Sequence, residues 1–248
     1  MNIQLSTTSR QKNKILSKVV ISICITTFFV GCFSSSKIDK WVGKHYEQSA
    51  TTPVHNSRGF LTVKTTDQIT ATDEFSITEN HKYTVLPLPF YAQWQSSNIC
   101  TLNEFVPLNI FSATANLYAN KLGLKKLLNG QTLEITVCNL PHWFSVVDKG
   151  WAVWPIPYLG AKNVSIDPSK RMMVVKFRLL QGITVVKSGT ITLPNTDKEY
   201  HEKGFQSPRK MTDKYLCQYD ESIKTLSVNC INKLLPQLQE DANTLTMK

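Results

Sequence analysis

The residues able to do acid, base or nucleophilic chemistry are few and scattered. Ser207-Pro208-Arg209-Lys210 spaces a serine and a lysine as in S-x-x-K, where the lysine can activate the hydroxyl for acyl transfer. Lys187-Ser188-Gly189 is close to the K-T-G that accompanies that pattern. Here the two stand in reversed order, no helical domain intervenes, and Pro208 falls where the helix orienting the lysine should begin. No G-x-S-x-G is present to expose a serine on a strand-to-helix turn. His201-Glu202 lacks the second histidine of H-E-x-x-H, and no C-x-x-C or helical histidine pair suggests a metal site. His142 beside Trp143 has the most suggestive context, and it reads best as a hydrogen-bonded structural residue. Glu134 and Asp148 are a carboxylate pair that could be drawn for glycoside cleavage, with their separation left open by sequence. No glycine-rich phosphate loop occurs. The expectation is a chain with no catalytic residues and no metal or dissociable cofactor.

The stronger pattern is at the start. Arg10, Lys12, Lys14 and Lys18 form a basic leader without an acid, followed by an apolar run from Val19 to Val30. That run is too short for a comfortable membrane span, and it ends in Phe29-Val30-Gly31-Cys32. A basic start, a short apolar centre and a small residue at the cut make a secretory signal. A cysteine directly after the small residue resembles the lipobox of bacterial lipoproteins, with Phe29 where that family usually has leucine. The resemblance implies that residues 1–31 are removed and that Cys32 becomes the first residue, carrying acyl chains as its only attached group. It implies a membrane partner through that anchor. Phe33 follows the cysteine where the enterobacterial sorting rule would need aspartate for inner-membrane retention, so the implied place is the periplasmic face of the outer membrane. The competing reading is an uncleaved signal anchor or an ordinary signal peptide.

Residues 32–248 leave 217 residues, enough for a real core. The whole chain carries a formal +10, and about +6 remains without the leader. That mild, dispersed excess suits anionic lipid, lipopolysaccharide or peptidoglycan, and no nucleic-acid module is present. Cys100, Cys138, Cys217 and Cys230 remain after the leader. An even number in an oxidising compartment suggests two disulfides, with Cys100–Cys138 and Cys217–Cys230 as the sequence-local pairs and buried free thiols as the alternative.

Residues 33–58 are polar without a clear period, so residues 32–58 read as a lipidated tether, with Trp41 suited to a membrane surface. The folded part, 59–248, reads as a periplasmic α/β domain. Segments 60–64, 75–78 and 82–89 alternate like strands. Phe111, Ala115, Tyr118 and Leu122 share a helical face over 109–122, with Gly123 as C-cap. Residues 131–140 form a strand with Leu133, Ile135 and Val137 on one face. Residues 172–180 and 183–193 form a hairpin through Gln181-Gly182. Residues 194–220 read as a long loop, and a last helix starts at Asp220 and is ended or kinked by Pro236. The predicted class is α+β: two layers, a mixed or antiparallel sheet with helices mainly on one face. The element order over roughly 80–240 is similar to that of small periplasmic accessory lipoproteins, including ABC-transporter auxiliary lipoproteins and activators of penicillin-binding proteins.

Three of five tryptophans fall in Pro141–Gly160: Trp143, Trp151 and Trp154, with Tyr158 beside them. The prolines argue against a central strand there and suggest an ordered excursion. Its aromatics suit a partner interface; the plainer reading is a satellite core. The expected function is a lipid-anchored, non-catalytic accessory that docks another envelope protein, with Trp143, Trp151, Trp154 and Tyr158 as contacts. The alternatives are a carrier or sensor of an apolar ligand, and then an envelope hydrolase.

Overall fold

Strand alternation does most of the work of building this chain, and one long helix joins what the strands make. The computed structural model describes residues 34–48, 59–66, 74–88, 90–153, 159–201 and 207–245. Residues 35–248 form one unit, and of the other, residues 1–34, only Ser34 is described. The expected signal, Cys32, residues 49–58, Trp154 and Tyr158 lie outside the described residues.

Two open sheets are present, and the class is α+β. The four-stranded sheet runs β1 (Leu61–Thr65), β4 (Thr132–Asn139), β7 (Met173–Gln181), β8 (Thr184–Leu193). It is mixed: β1 lies parallel to β4 and the other pairs are antiparallel. Leu133, Ile135, Val137, Met173, Val175, Phe177 and Leu179 alternate onto its buried face. The β7–β8 turn is Gly182-Ile183, one residue later than expected, with Gly182 at φ 64.

The five-stranded sheet is antiparallel: β2 (Ser76–Leu88), β3 (Tyr91–Leu102), β5 (Trp143–Val153), β6 (Leu159–Pro168), β9 (Tyr200–His201). The aromatic excursion expected over 141–160 is therefore corrected. Most of it is β5, the central strand of this sheet. Pro155 and Pro157 come after Val153, so they remove no donor from the described ladder.

Four helices complete the unit: α1 (Ser35–Gln48), α2 (Phe105–Lys121), the short α3 (Leu124–Leu127) and α4 (Pro208–Leu245). Gly123 takes φ 66 after α2, as a C-terminal glycine should. The 38 residues of α4 span about 57 Å. Its first half meets the five-stranded sheet: Tyr215 packs on Phe144, and the Tyr219 hydroxyl donates to the Pro141 carbonyl at 2.7 Å. Its second half meets the four-stranded sheet, where Lys187 Nζ donates to the Gln237 carbonyl at 2.5 Å.

The last helix begins at Pro208, twelve residues before the expected Asp220. Ser207 caps it by accepting from the Lys210 amide at 3.4 Å, and Pro208 occupies the first position, where its missing N–H costs nothing. The helix continues through Pro236. Pro236 removes the amide that would bond the Asn232 carbonyl, and both residues lie on the exposed side of the helix.

Two further expectations are corrected. Residues 35–48 of the supposed tether are a packed helix, with Ile38 and Val42 fully buried and Tyr46 nearly so. Asp39 fixes it to β2, accepting from the Ser76 hydroxyl (2.8 Å), the Thr78 amide (3.2 Å) and the Thr78 hydroxyl (2.6 Å). Asp220 fixes it to α4, accepting from the Tyr46 hydroxyl at 3.0 Å. Neither expected disulfide forms; Cys100, Cys138, Cys217 and Cys230 are free thiols. Cys217 and Cys230 share α4, where thirteen residues separate them by about 20 Å, far beyond the ~4.4–6.8 Å a disulfide allows. Cys100 lies in β3 and Cys138 in β4, strands of different sheets.

Candidate interaction surface

The far end of the five-stranded sheet projects four strands whose side chains are poorly covered. Register places Leu88, Tyr91, Val153 and Leu159 in one row across β2, β3, β5 and β6. Two residues back along the strands lies the row Leu86, Gln93, Trp151, Ala161. Rows two residues apart share a face. So Leu86, Leu88, Tyr91, Trp151, Val153 and Leu159 share one largely apolar face, with the exposed Gln93 between Leu86 and Trp151 accepting from the Tyr91 hydroxyl at 3.1 Å. The face is open to water: Leu86 is 50% exposed, Leu88 49%, Trp151 40% and Leu159 56%. Phe90, at the tip of the β2–β3 hairpin, is 61% exposed and holds φ 80, a region that normally favours glycine. A bulky ring in that backbone state, uncovered by the fold, is the kind of strain that accompanies functional positions.

The opposite face of this end is closely packed and bonded across three strands. The Trp94 ring lies over Gly150, so closely that a Cβ there would stand 2.1 Å from the ring. Trp94 Nε1 donates to Asp148 at 3.2 Å, and Lys162 Nζ reaches the other carboxylate oxygen at 3.1 Å. Asp148 thus ties β3, β5 and β6 together. Trp94 carried no sequence signal of its own. Its role follows from pairing with Gly150, which only the register shows.

The two described residues of the expected contact, Trp143 and Trp151, are not together. Trp143 pairs with Thr101 at the other end of β5, about 27 Å from Trp151. Trp151 lies in the exposed surface. Leu86, Leu88 and Phe90 were missed, because nothing in a single strand says which face its partners will leave bare.

The expected acid–base groups are engaged elsewhere. Glu134 accepts from Lys64 Nζ at 2.6 Å and from Arg178 at 2.6 and 3.1 Å. The Lys64 hydrogen bond first, and Arg178 next, hold its carboxyl below the usual range, so it is an ionised clamp between β1, β4 and β7. Asp148 belongs to the other sheet and is engaged there by Trp94 and Lys162. His142 and Cys138 line a cleft of about 200 Å³ with Glu104, Asn139 and Arg171. Each is held by a backbone carbonyl, His142 Nδ1 to Leu140 at 2.9 Å and Cys138 Sγ to Thr136 at 3.7 Å, not by the other. Ser207 is the cap of α4, which accounts for the S-x-x-K spacing structurally. Among the described residues no cluster of three histidine, cysteine or acidic groups could hold a metal ion, and no helix is long and apolar enough to cross a membrane.

No family model, no curated protein and no solved structure matches the chain.

Proposed function

We propose that this chain is a lipid-anchored, non-catalytic accessory of a bacterial envelope that docks another envelope protein through the apolar end of its five-stranded sheet. Cys32 is the anchor, and the periplasmic face of the outer membrane is the proposed place. The observation that carries the docking surface is the single face on which Leu86, Leu88, Tyr91, Trp151, Val153 and Leu159 align, with Phe90 at its tip. Exposed apolar surface of this kind is costly to keep in water and marks contact sites, and aromatic anchors dominate the energy of such contacts. The leader and lipobox-like Cys32 support the envelope setting. The Trp94–Asp148–Lys162 contacts support a preformed surface, which binds without first being ordered.

The test is site-specific crosslinking in cells from positions 86 and 151, with position 143 as the distant control and Cys32→Ala as the anchor control. Adducts from 86 and 151 but not 143, lost with Cys32→Ala, are expected. Adducts equal at all three positions would overturn the assigned surface.

A further inference from the structure

We infer that the outward face of α1 is a docking surface for an anionic lipid bilayer, holding the folded body against the membrane that the anchor enters. The inference rests on the lipid-anchor reading of Cys32 and deepens it. Only Phe33 and Ser34 separate Cys32 from the first residue of α1. Three residue steps reach at most about 11 Å. A polar tether of 27 residues would have let the body float free. A helix that starts three residues after the lipid, and is bonded to the body by Asp39 and Tyr46, does not.

The chemistry of that face fits headgroups. Ile38, Val42 and Tyr46 turn inward, so the positions opposite them on the helical wheel face out. These include Lys37, Lys40 and Lys44, all exposed. They line an open groove of about 950 Å³ together with Trp41, Ile77 and Arg209 from the first turn of α4. Glu47 and Glu74 also border the groove, and Asp39 is occupied by Ser76 and Thr78. Four cations therefore stand at the groove beside Glu47 and Glu74. Trp41 and the exposed Ile77 supply the apolar component that suits the headgroup boundary. Each basic residue near an anionic surface multiplies partition by about fivefold, so three lysines give on the order of a hundredfold.

The measurement uses the full chain on two kinds of vesicle, phosphatidylcholine alone and phosphatidylcholine mixed with phosphatidylglycerol. Amine acylation is read lysine by lysine by peptide mass spectrometry, and the mass of the N-terminal peptide reports the anchor. The expected result is that Lys37, Lys40 and Lys44 lose modification several-fold on the mixed vesicles, while Lys125 and Lys126 of α3 do not change. A lipidated, vesicle-bound chain whose three lysines label equally on both vesicles would overturn the inference and leave the anchor standing. An N-terminal peptide without acyl groups would overturn the anchor. The surface is then decided by the Cys32→Ser chain at low salt. Preference for mixed vesicles that falls on the order of a hundredfold in Lys37→Gln/Lys40→Gln/Lys44→Gln, and returns with arginine at the same positions, upholds it. No preference overturns it. All three side chains are exposed, so the melting curve of the glutamine variant is the check on folding.

Discussion

Gly150 shows how a single atom can matter here. A methyl group at this position runs into the Trp94 ring, whose indole is already committed to Asp148. Gly150→Ala is therefore expected to destabilise by about 1–3 kcal/mol, as overpacking does. Thermal unfolding measures this, and adding Trp94→Ala should recover part of the loss, because the two residues share one contact. The thiols make a second residue-scale case. Burial pushes Cys100 and Cys230 up to about 12, whereas Cys217 is exposed. Alkylation of the native chain should modify Cys217 and spare Cys100 and Cys230. Denaturation without reductant should then open all four, whereas two disulfides would leave none. His45 makes a third case. Its ring contacts Asp213 at 2.9 Å and Asp220 at 3.4 Å. The Asp220 hydrogen bond, chiefly, raises its pKa above the usual 6.5, against a smaller opposing effect of burial. A raised folded pKa gives stability that is fully present below the unfolded value and is lost as pH rises through the folded value. Denaturant titrations at about pH 6 and about pH 8 should show the chain more stable at the lower pH through this group, and His45→Gln should flatten that difference.

At the scale of elements, α1 separates a tether from a structural part most sharply. Ile38→Ala should cost about 2–5 kcal/mol if the helix is packed as described, and almost nothing if residues 35–48 are a solvated linker. Chemical denaturation distinguishes the two. This helix was hard to read from sequence because Ile38, Val42 and Tyr46 are a thin stripe among lysines, and a sparse stripe at a spacing of four looks polar when judged by composition. The strands were easier. Leu133, Ile135 and Val137 alternate cleanly, as do Met173, Val175, Phe177 and Leu179 before Gly182, and a buried face enforces such alternation. β5 was misread because two prolines near its end were assigned to the strand, though they follow Val153. The start of α4 was misread because Ser207-Pro208 was weighed as chemistry; serine before proline is also a helix start. The cysteine pairs failed for a related reason. Thirteen residues make a short loop in a flexible segment and a long rod in a helix. Trp151 was legible as an exposed aromatic, while its companions Leu86, Leu88 and Phe90 emerged only with the register of four strands.

For the whole molecule, the distance between two surfaces sets the geometry. Asp39 of α1 meets β2 at Ser76 and Thr78, and the apolar face lies at Leu86 and Leu88 of the same strand. From Ser76 to Leu88 the strand runs about 40 Å. In the proposed account, α1 is held at the lipid and the sheet carries its docking surface that far along the chain, on a stiff support instead of a flexible arm. Tyr215 and Tyr219 of α4 brace the near end of this sheet against Phe144 and Pro141. Leu86→Ser with Trp151→Ala should leave unfolding nearly unchanged, since both side chains are substantially exposed, yet abolish partner capture. The most direct test is photocrosslinking in living cells from position 151, compared between the otherwise natural chain and one carrying Leu86→Ser and Leu88→Ser. One defined envelope partner is expected from the first and its loss from the second. The same partner captured equally by both would contradict the proposed docking surface.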